Sequence, residues 1–276
     1  MKVAITGSSG FVGSALVRAL RQSGDEVIAV PRGTAEIGDA EAVVNLAGAP
    51  IAVRWTKRRK QEILASRVEG TRRIVDAINR RGTPVRVLVS ASAIGFYGNR
   101  GDEVLSEEST AGTDFLAAVV REWETAAAAA VVRSVQLRFG IVLGSGGGAL
   151  AKMLPPFRMG MGGRLGAGTQ WMSWISLHDL VRAIRLAIDD ASVSGPANAV
   201  APNAVTNAEF TATLGRVLRR PAMMPVPVFA LRALFGEMAS LTLLASQRVA
   251  PMRLERAGFR FEHPTLEGAL RHELSA

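Results

Sequence analysis

The chain has 276 residues, enough to bury a full hydrophobic core as one large domain or as a domain with an appendage. It contains no cysteine, which excludes disulfides, thiolate chemistry and zinc–thiolate sites. Its net charge of +9 comes mostly from arginines scattered along predicted helices without interleaved aromatic residues. A basic surface around an anionic ligand is therefore favoured over nucleic-acid binding.

Membrane and metal partners are not expected from the sequence. No uncharged apolar run approaches the roughly 20 residues that a membrane span requires. A strand begins almost at the N-terminus, which leaves no room for a signal peptide, so we expect a cytoplasmic protein. The three histidines stand far apart in the sequence, at positions 178, 263 and 272, and we expect them to form no metal site.

The chain opens with an apolar strand that runs directly into a turn with glycines at every third position, Gly7, Gly10 and Gly13. In such a turn the first glycine permits a tight exit from the strand, the second lets the backbone approach a pyrophosphate, and the third lets a helix pack on the strand. A helix over residues 14–21 follows, and its free N–H groups would face the phosphates. The pattern predicts dinucleotide binding, with an ordinary strand-to-helix turn as the alternative.

The end of the second predicted strand, residues 26–30, indicates which dinucleotide binds. An acidic residue there would hydrogen-bond the ribose 2′-hydroxyl of NAD, whereas an arginine suits the 2′-phosphate of NADP. Arg32 stands there, directly after Pro31, and no acidic residue does. The sequence therefore favours NADP(H), and the alternative is that Arg32 is a surface arginine after a turn.

A third buried strand, residues 42–48, ends in the small residues Ala47 and Gly48, which leave room for a cofactor ribose. The helix that follows has a buried stripe with spacings of four and three residues, formed by Leu64, Val68, Thr71, Val75 and Ile78. In a doubly wound sheet such a helix begins at the ligand-binding edge. Arg67 lies at the margin of this stripe, so it is a candidate cofactor contact or else only a flank of the helix.

The middle of the chain continues the alternation of strands and helices. We predict a strand over residues 85–90, a helix over 114–130 and a strand over 132–138. The glycine-rich stretch that follows, residues 144–148, is interpreted as a flexible crossover, with a second phosphate loop as the less favoured alternative. The next segment is rich in large apolar residues that line a substrate pocket or belong to the core, namely Met153, Phe157, Trp171, Met172 and Trp174.

Two short motifs near the end of the predicted sheet have the spacing of helix capping boxes. They are Ser176 with Asp179 and Thr206 with Glu209. Since a capping role accounts for this spacing, no chemistry is assigned to Asp179 or to its neighbour His178.

The order of the elements predicts an α/β fold, a Rossmann-type doubly wound parallel sheet. The composition changes near residue 220, and an apolar helical stretch is predicted over residues 229–249. We therefore predict a dinucleotide-binding domain with its substrate-pocket segments over residues 1–220 and a small, mainly helical appendage over residues 221–276.

Several runs of residues resemble the extended and atypical short-chain dehydrogenases/reductases. The runs are Thr6-Gly-Ser-Ser-Gly-Phe-Val-Gly13, Asn45-Leu-Ala-Gly48, Ser66-Arg-Val-Glu-Gly-Thr71, Trp171-Met-Ser-Trp-Ile175, Ala201-Pro-Asn-Ala-Val-Thr-Asn207 and Ser246-Gln-Arg-Val-Ala-Pro251. Over nearly the whole chain they resemble the "epimerase family" proteins once labelled cell-division inhibitors, which carry a C-terminal domain of unknown function. The resemblance implies a Rossmann domain that binds NADP(H). It also implies a set of ligand contacts: Gly7, Ser8, Ser9, Gly10, Phe11, Val12, Pro31, Arg32, Leu46, Ala47, Gly48, Glu62, Arg67, Ser90 and Arg138.

The sequence departs from this clan at its catalytic pair. The clan uses a Tyr-x-x-x-Lys pair, in which the lysine lowers the pKa of the tyrosine so that it serves as general acid and base. The only tyrosine here is Tyr97, and Gly101 stands four residues after it. Where the clan's pair should fall we find Leu116 and Val120. Ser92 stands near the position of the clan's catalytic serine, but alone it is an unactivated hydroxyl.

Two classes of function follow from this departure. The first is an NADP-dependent oxidoreductase for an unidentified small-molecule substrate, in which Ser92, Tyr97 or a water replaces the missing acid. The second is a non-catalytic NADP(H)-binding sensor or regulatory protein. Sugar-nucleotide epimerisation is disfavoured, because it needs the tyrosine. The apolar segment around Trp171 is the feature that favours the reductase, and the sequence leaves the substrate and the oligomeric state open.

Overall fold

The structure is a computed structural model, and it describes residues 1–80, 82 and 84–275, so the last residue of the predicted appendage lies outside the described part. The first half of the chain alternates strands and helices. Its elements are β1 (Lys2–Thr6), α1 (Phe11–Gln22), β2 (Glu26–Val30), β3 (Ala42–Asn45), α2 (Lys57–Ile78), β4 (Val87–Ala93), a 3₁₀ turn (Ile94–Tyr97), β5 (Val104–Leu105), α3 (Phe115–Ala128) and β6 (Arg133–Phe139).

The second half contains shorter strands and more helix. Its elements are β7 (Ile141–Leu143), α4 (Gly148–Arg158), β8 (Trp171–Met172), β9 (Trp174–Ser176), α5 (Leu177–Asp189), β10 (Gly195–Ala199), β11 (Val205–Thr206), α6 (Asn207–Leu218), α7 (Val228–Phe235), a π turn (Ala239–Leu243), β12 (Arg248–Val249), α8 (Met252–Arg256) and α9 (Leu266–Ser275). None of the helices in the described ranges combines the length and the apolar character that crossing a membrane requires.

The central sheet is parallel and has six strands in the order β10-β6-β4-β3-β1-β2. From β1 the chain moves outward to β2, and it then crosses back to place β3 on the other side of β1. This reversal is a topological switch point, and ligands of such sheets bind in the crevice at the carboxyl ends of the strands there. The predicted Rossmann-type doubly wound fold is therefore confirmed, and the switch point lies between β1 and β3.

Helices cover both faces of the sheet. On one face α1 and α5 pack with strand residues such as Ile5 and Val89 in a buried cluster that includes Leu16 and Leu180. On the other face α2 and α3 pack over Val43. Full burial of one such aliphatic side chain contributes roughly 1.5–3 kcal/mol. Because both faces are buried, the strands read as apolar runs rather than as alternating patterns.

A third buried cluster joins the C-terminal helix to the body of the protein. Leu266 and Leu270 of α9 pack with Phe157 of α4, Trp174 of β9 and Phe210 of α6. The strand β12 also pairs in parallel with β5, which lies far earlier in the chain. Residues after 220 thus share a core with residues before 220, and the proposed division of the chain at residue 220 stays a prediction.

The apolar helical stretch predicted over residues 229–249 is helical only in part. Helix α7 ends at Phe235, where Gly236 adopts a φ of +62°, a left-handed conformation that stops the helix. A π turn follows, and Arg248 and Val249 then form β12. The apolar composition of residues 229–249 did not distinguish these three short elements from one helix.

Candidate functional site

The turn after β1 has the geometry that the glycine spacing predicted. Gly7 has a φ of +67°, and a Cβ atom on it would lie 3.0 Å from the carbonyl carbon of Leu46 and 3.1 Å from the amide nitrogen of Ala47. A Cβ atom on Gly13 would lie 2.1 Å from the carbonyl oxygen of Gly7. Glycine at both positions therefore lets β1, β3 and α1 meet at the switch point.

Helix α1 begins at Phe11, three residues earlier than predicted. Gly10 is its N-cap residue, with an extended φ of −75°, so the left-handed residue of the turn is Gly7 and not Gly10. No side chain of the described residues caps this end of the helix, and its first turn contains no acidic residue. The first amides of α1 therefore keep their hydrogen-bonding capacity, which is the arrangement that binds phosphates. The predicted contacts Ser8, Ser9 and Val12 lie on the partly or fully exposed rim of this turn.

The glycine-rich stretch, residues 144–148, packs against the side chain of Phe11. Cβ atoms on Gly144 and Gly147 would each lie 2.7 Å from the Phe11 ring. Gly148 has a φ of +68° and opens helix α4. The glycines therefore allow a close approach of this crossover to the candidate phosphate turn.

The exit of β3 is fixed by a hydrogen-bond network around Thr6. The Thr6 Oγ1 atom accepts hydrogen bonds from the amides of Leu46 and Ala47, both at 3.1 Å, and donates to Asn45 Oδ1 at 2.6 Å. Asn45 Nδ2 in turn donates to Thr71 Oγ1 of α2 at 2.8 Å. Buried polar groups thus position the backbone of Leu46 and Ala47 beside Gly7.

The guanidinium group of Arg67 lies directly beside Gly48. A Cβ atom on Gly48 would lie 3.2 Å from Arg67 Cζ, and Arg67 Nη1 donates to the carbonyl oxygens of Ala49 and Ile63 at 3.1 and 3.3 Å. Its guanidinium carbon lies 5.2 Å from the centre of the Trp123 ring. No carboxylate in the described residues pairs with Arg67, and burial lowers its pKa to about 10.

Arg32 and Glu62 differ in how much of their charge is available to a ligand. Arg32 and Pro31 are exposed at the end of β2, and Arg32 makes no hydrogen bond or ion pair with the described part of the chain. Glu62 accepts hydrogen bonds from Arg59 and Arg58 within α2, at 2.8 and 3.0 Å, and these bonds lower its pKa. The structure brings together five of the predicted contacts: Gly7, Leu46, Ala47, Gly48 and Arg67. The carboxylate of Glu62 instead pairs with two arginines of its own helix.

The carboxyl end of β4 carries a buried polar network. Ser92 Oγ donates to Glu124 Oε1 of α3 at 2.5 Å. Arg138 of β6 donates to both carboxylate oxygens of Glu124, each at 2.8 Å. Ser92 and Arg138 are each only 2% exposed. Burial opposes the charge of Arg138, but the hydrogen bond and charge of Glu124 outweigh it and raise the pKa of Arg138. Ser92 is therefore not an unassisted hydroxyl, because its proton is held by a carboxylate.

Tyr97 closes the other side of the same network. Its Oη atom accepts from Arg138 Nη1 at 2.9 Å and donates to Asn198 Oδ1 at 2.7 Å. The side chain is fully buried, and burial raises the pKa of its phenol although Arg138 opposes this shift. The Phe96 ring lies 3.5 Å from the guanidinium carbon of Arg138. The hydrogen bonds of the phenol thus hold Arg138 and Asn198 in place.

Comparison with known proteins identifies the family. A family model described as the NAD dependent epimerase/dehydratase family matches residues 3–200, which is more than half of the chain. The chain belongs to the NAD dependent epimerase/dehydratase family. A second model, of a domain of unknown function, matches residues 226–273.

Members of the epimerase/dehydratase family that resemble this chain cover nearly its whole length. An epimerase family protein of Mycobacterium tuberculosis is 44% identical over 97% of this chain and 96% of its own. A chloroplastic SDR39U1 homologue of Arabidopsis thaliana is 42% identical over 98% of this chain and 86% of its own. The crystal structure of the human epimerase family protein SDR39U1 with NADPH is 35% identical, with a TM-score of 0.94 over 100% of this chain and 99% of that one. The resemblance read from the sequence motifs is confirmed.

Two of the predicted ligand contacts lie inside this epimerase/dehydratase family chain. Ser90 is fully buried, and its Oγ atom donates to the carbonyl oxygen of Ala91 at 3.1 Å. Arg138 is held by Glu124 and Tyr97. Neither side chain therefore offers a free donor at the surface of the site.

Sequence reasoning missed Glu124 and Asn198 in this family member. A signal was present, because Glu124 continues the buried row of α3 that contains Leu116 and Val120, at a spacing of four residues. Arg138 likewise stands in a buried strand. An acid and a base that each interrupt an apolar run predict a buried ion pair, although the sequence does not state which two pair.

Of the two alternatives left open for the large apolar residues, a substrate pocket or the core, the structure gives the core for most of them. Phe157, Met172 and Trp174 belong to the third buried cluster, and Met153 packs against it. Trp171 is partly exposed, and its Nε1 atom donates to Asp102 Oδ1 at 2.9 Å. Since these residues form core and surface contacts, they no longer favour a reductase.

Proposed function

We propose that this chain binds NADP(H) across the switch point between β1 and β3, with the pyrophosphate on the first amides of α1 and the 2′-phosphate on Arg32. The observation that carries the proposal is the uncapped, acid-free N-terminus of α1 at the switch point. An exposed, unpaired Arg32 at the end of β2 adds the charge that a 2′-phosphate requires. The human relative crystallised with NADPH supports the same choice.

Fluorescence titration of the full chain with NADPH and with NADH tests this proposal. The chain has four tryptophans, one of which, Trp123, lies beside Arg67, so their emission is a practical signal for binding in the cleft. We expect saturable binding of one NADPH per chain and weaker binding of NADH. Absence of saturable NADPH binding would overturn the assignment of the cleft.

We further propose that the chain is an oxidoreductase in which Ser92 handles the substrate proton. The bound dinucleotide supplies or accepts the hydride. The Ser92 proton already points to Glu124, so the lone pairs of Ser92 Oγ are left to accept a proton from a substrate hydroxyl while the serine proton passes to Glu124. Reduction of a carbonyl uses the same path in reverse. The 2.5 Å hydrogen bond between Ser92 and Glu124 supports this role.

A screen of aldehydes, ketones and alcohols, followed by NADPH absorbance, tests the reaction. General acid–base catalysis contributes about 10²- to 10⁴-fold, so Ser92→Ala should lower turnover in that range. Ser92→Thr is the matched control, because it keeps the hydroxyl. Tyr97→Phe should leave most of the turnover, since its hydroxyl holds Arg138 and Asn198 rather than the reacting atoms. Unchanged turnover in Ser92→Ala would remove Ser92 from the mechanism.

The second candidate is a non-catalytic NADP(H)-binding sensor. It is favoured by the burial of the expected catalytic groups, since Ser92 is 2% exposed and Tyr97 fully buried. Tight NADPH binding with no turnover across the screen would support the sensor over the oxidoreductase. We propose a small-molecule ligand in either case, and neither a nucleic-acid nor a membrane partner. A cytoplasmic location also remains a proposal, and the Arabidopsis relative is named as chloroplastic.

A further inference from the structure

The three histidines of the chain come together in space, contrary to the expectation from their sequence positions. His178 lies in the first turn of α5, His263 lies in the loop before α9, and His272 lies on α9. The His178 ring is 5.5 Å from His263 and 5.2 Å from His272 between ring centres. The rings of His263 and His272 stack at 4.1 Å. This histidine cluster lies at the junction between α5 and the C-terminal segment.

Buried carboxylates fix the backbone of the cluster. The fully buried Asp179 accepts hydrogen bonds from the amides of Glu262 and His263, at 3.0 and 2.9 Å. Glu273 accepts from the amide of His178 at 3.0 Å. The predicted capping box at Ser176 is therefore only half present, because Ser176 caps the amide of Asp179 while the Asp179 side chain binds the C-terminal loop. Residues from two distant parts of the chain are held in one constellation.

The side chains of His178, Glu262 and His263 offer a set of metal-binding atoms. Their ligand atoms all lie within 4.8 Å of one another, and His178 Nε2 is 2.8 Å from Glu262 Oε2. Zinc binds histidine nitrogen and carboxylate oxygen at about 2.0–2.2 Å, so neighbouring ligands around it lie about 3.4 Å apart. Small side-chain rotations would therefore bring the three atoms onto one ion.

The His263 ring carries the observation that points to a ligand. Its Nε2 atom is buried from solvent and makes no hydrogen bond with any described residue. A buried polar atom without a partner costs free energy, roughly 1–3 kcal/mol, and such atoms are rare in folded proteins. A coordinated cation would satisfy this nitrogen, whereas the stacked His272 ring does not.

Arg182 is the positive charge that a cation would meet here. Its Nε atom pairs with Glu262 Oε1 at 3.1 Å, and its Nη1 atom pairs with Asp179 Oδ1 at 2.9 Å. Two carboxylates thus share the charge of Arg182, and Glu262 Oε2 remains directed to His178. Partners of this kind behind a metal ligand orient it and tune its affinity.

We propose that His178, Glu262 and His263 form a binding site for a divalent transition metal ion of the zinc type, which fastens the C-terminal segment to α5. Two imidazoles and one carboxylate suit zinc and leave one position for water. None of the three proposed metal ligands is among the residues assigned to NADP(H), so the two proposals can be tested separately. Its expected role is to stabilise the contact between α5 and the loop before α9.

Calorimetric titration of the tag-free, chelator-treated full chain with zinc chloride tests the site. We expect one zinc per chain in the wild type. The chain has no cysteine, and all of its histidines belong to this cluster, so another His or Cys site is excluded by composition. His178→Ala and His263→Ala should each weaken zinc binding at least about tenfold, since even partners behind the ligands contribute 10- to 100-fold. His272→Phe keeps the stacked ring and is the matched control with unchanged binding.

Circular dichroism verifies that each variant is folded before zinc is added. As a second measurement, imidazole NMR signals of the wild type should shift on zinc addition for His178 and His263. Zinc should also raise the melting temperature of the wild type but not of His263→Ala. Absence of one-to-one zinc binding in the wild type, or zinc affinity equal to that of the wild type in His178→Ala and His263→Ala, would overturn the proposal. An equal loss in His272→Phe and His263→Ala would overturn the ligand assignment.

Discussion

Two regions at the same edge of the sheet use arginine in opposite ways. Arg138 is almost fully buried, and Glu124 and Tyr97 take up its hydrogen bonds. Arg32 and Arg67 have no carboxylate partner in the described ranges, although Arg67 is partly buried. A charge that is satisfied within the chain supports the fold, whereas a charge left unpaired beside a cleft is suited to an anionic ligand. The comparison separates the supporting network from the surface that we propose to bind NADP(H).

The largest expected effect is the loss of stability when the satisfied arginine is removed. Arg138→Ala would leave Glu124 as a buried carboxylate without its charged partner, and such a loss typically costs 3–5 kcal/mol. Urea unfolding followed by circular dichroism measures the change. Arg86→Ala is the matched control, because Arg86 pairs with Glu41 at the surface, and it should change stability little. Equal stabilities of the two variants would contradict the supporting role of Arg138.

The next effect concerns the turn that offers free amides. Gly10→Val would place a branched side chain over the first amides of α1, where the pyrophosphate is proposed to bind. We expect NADPH affinity to fall at least about 100-fold, which corresponds to roughly 2.7 kcal/mol. A Cβ atom on Gly10 meets only the Gly7 carbonyl oxygen, at 3.1 Å, so the protein should still fold.

Gly146→Ala provides the control for that titration. A Cβ atom on Gly146 would meet no atom of the described residues within 4 Å, and its φ is not left-handed. Fluorescence titration should therefore give the wild-type affinity for this variant. Unchanged affinity in Gly10→Val would place the phosphates elsewhere.

The sequence predicted those parts of the site that depend on local signals. The second strand over residues 26–30 is confirmed with the same bounds, and the glycine spacing located the turn at the switch point. Asp114 caps α3 at the predicted start of that helix. Each of these features is determined by residues within one turn of helix or strand, and periodicity and capping rules read such neighbours directly.

The parts that were missed depend on contacts between distant residues. Ser92 and Glu124 are 32 residues apart and meet only because α3 packs on β4. His178 and Glu262 are 84 residues apart and meet because Asp179 binds the loop before α9. Side-chain type and local spacing do not state which pairs the packing will select. The sequence could not decide between pocket and core for the apolar residues around Trp174, since a core and a pocket use the same residue types.

A smaller effect is expected on the choice of cofactor, and it depends on Arg32, the exposed arginine of the comparison. If Arg32 pairs with the 2′-phosphate, NADPH should bind at least about tenfold tighter than NADH, a difference of roughly 1.4 kcal/mol. Arg32→Ala should erase most of that preference by weakening NADPH and leaving NADH unchanged. Parallel titrations with both dinucleotides measure it, and Arg86→Ala should keep the preference. Equal affinities in the wild type would refute the role of Arg32.

The smallest expected effect tests whether Arg67 serves ligand binding while it lowers the stability of the protein without cofactor. Burial lowers the pKa of Arg67 to about 10, which means that the folded environment disfavours its charged form. At neutral pH both the folded and the unfolded chain carry this charge, and only the folded chain bears the cost of desolvating it. Arg67→Met retains a long, flexible, apolar side chain beside Gly48 and Trp123 and removes that cost. We expect the free energy of unfolding without cofactor to rise by roughly 0.5–1 kcal/mol, in the range of stabilising substitutions at functional sites.

NADPH should at the same time bind more weakly and stabilise the variant less than the wild type. Urea unfolding with and without NADPH measures both quantities on one sample, and a variant that is less stable without cofactor would show that the carbonyl contacts of Arg67 outweigh its burial.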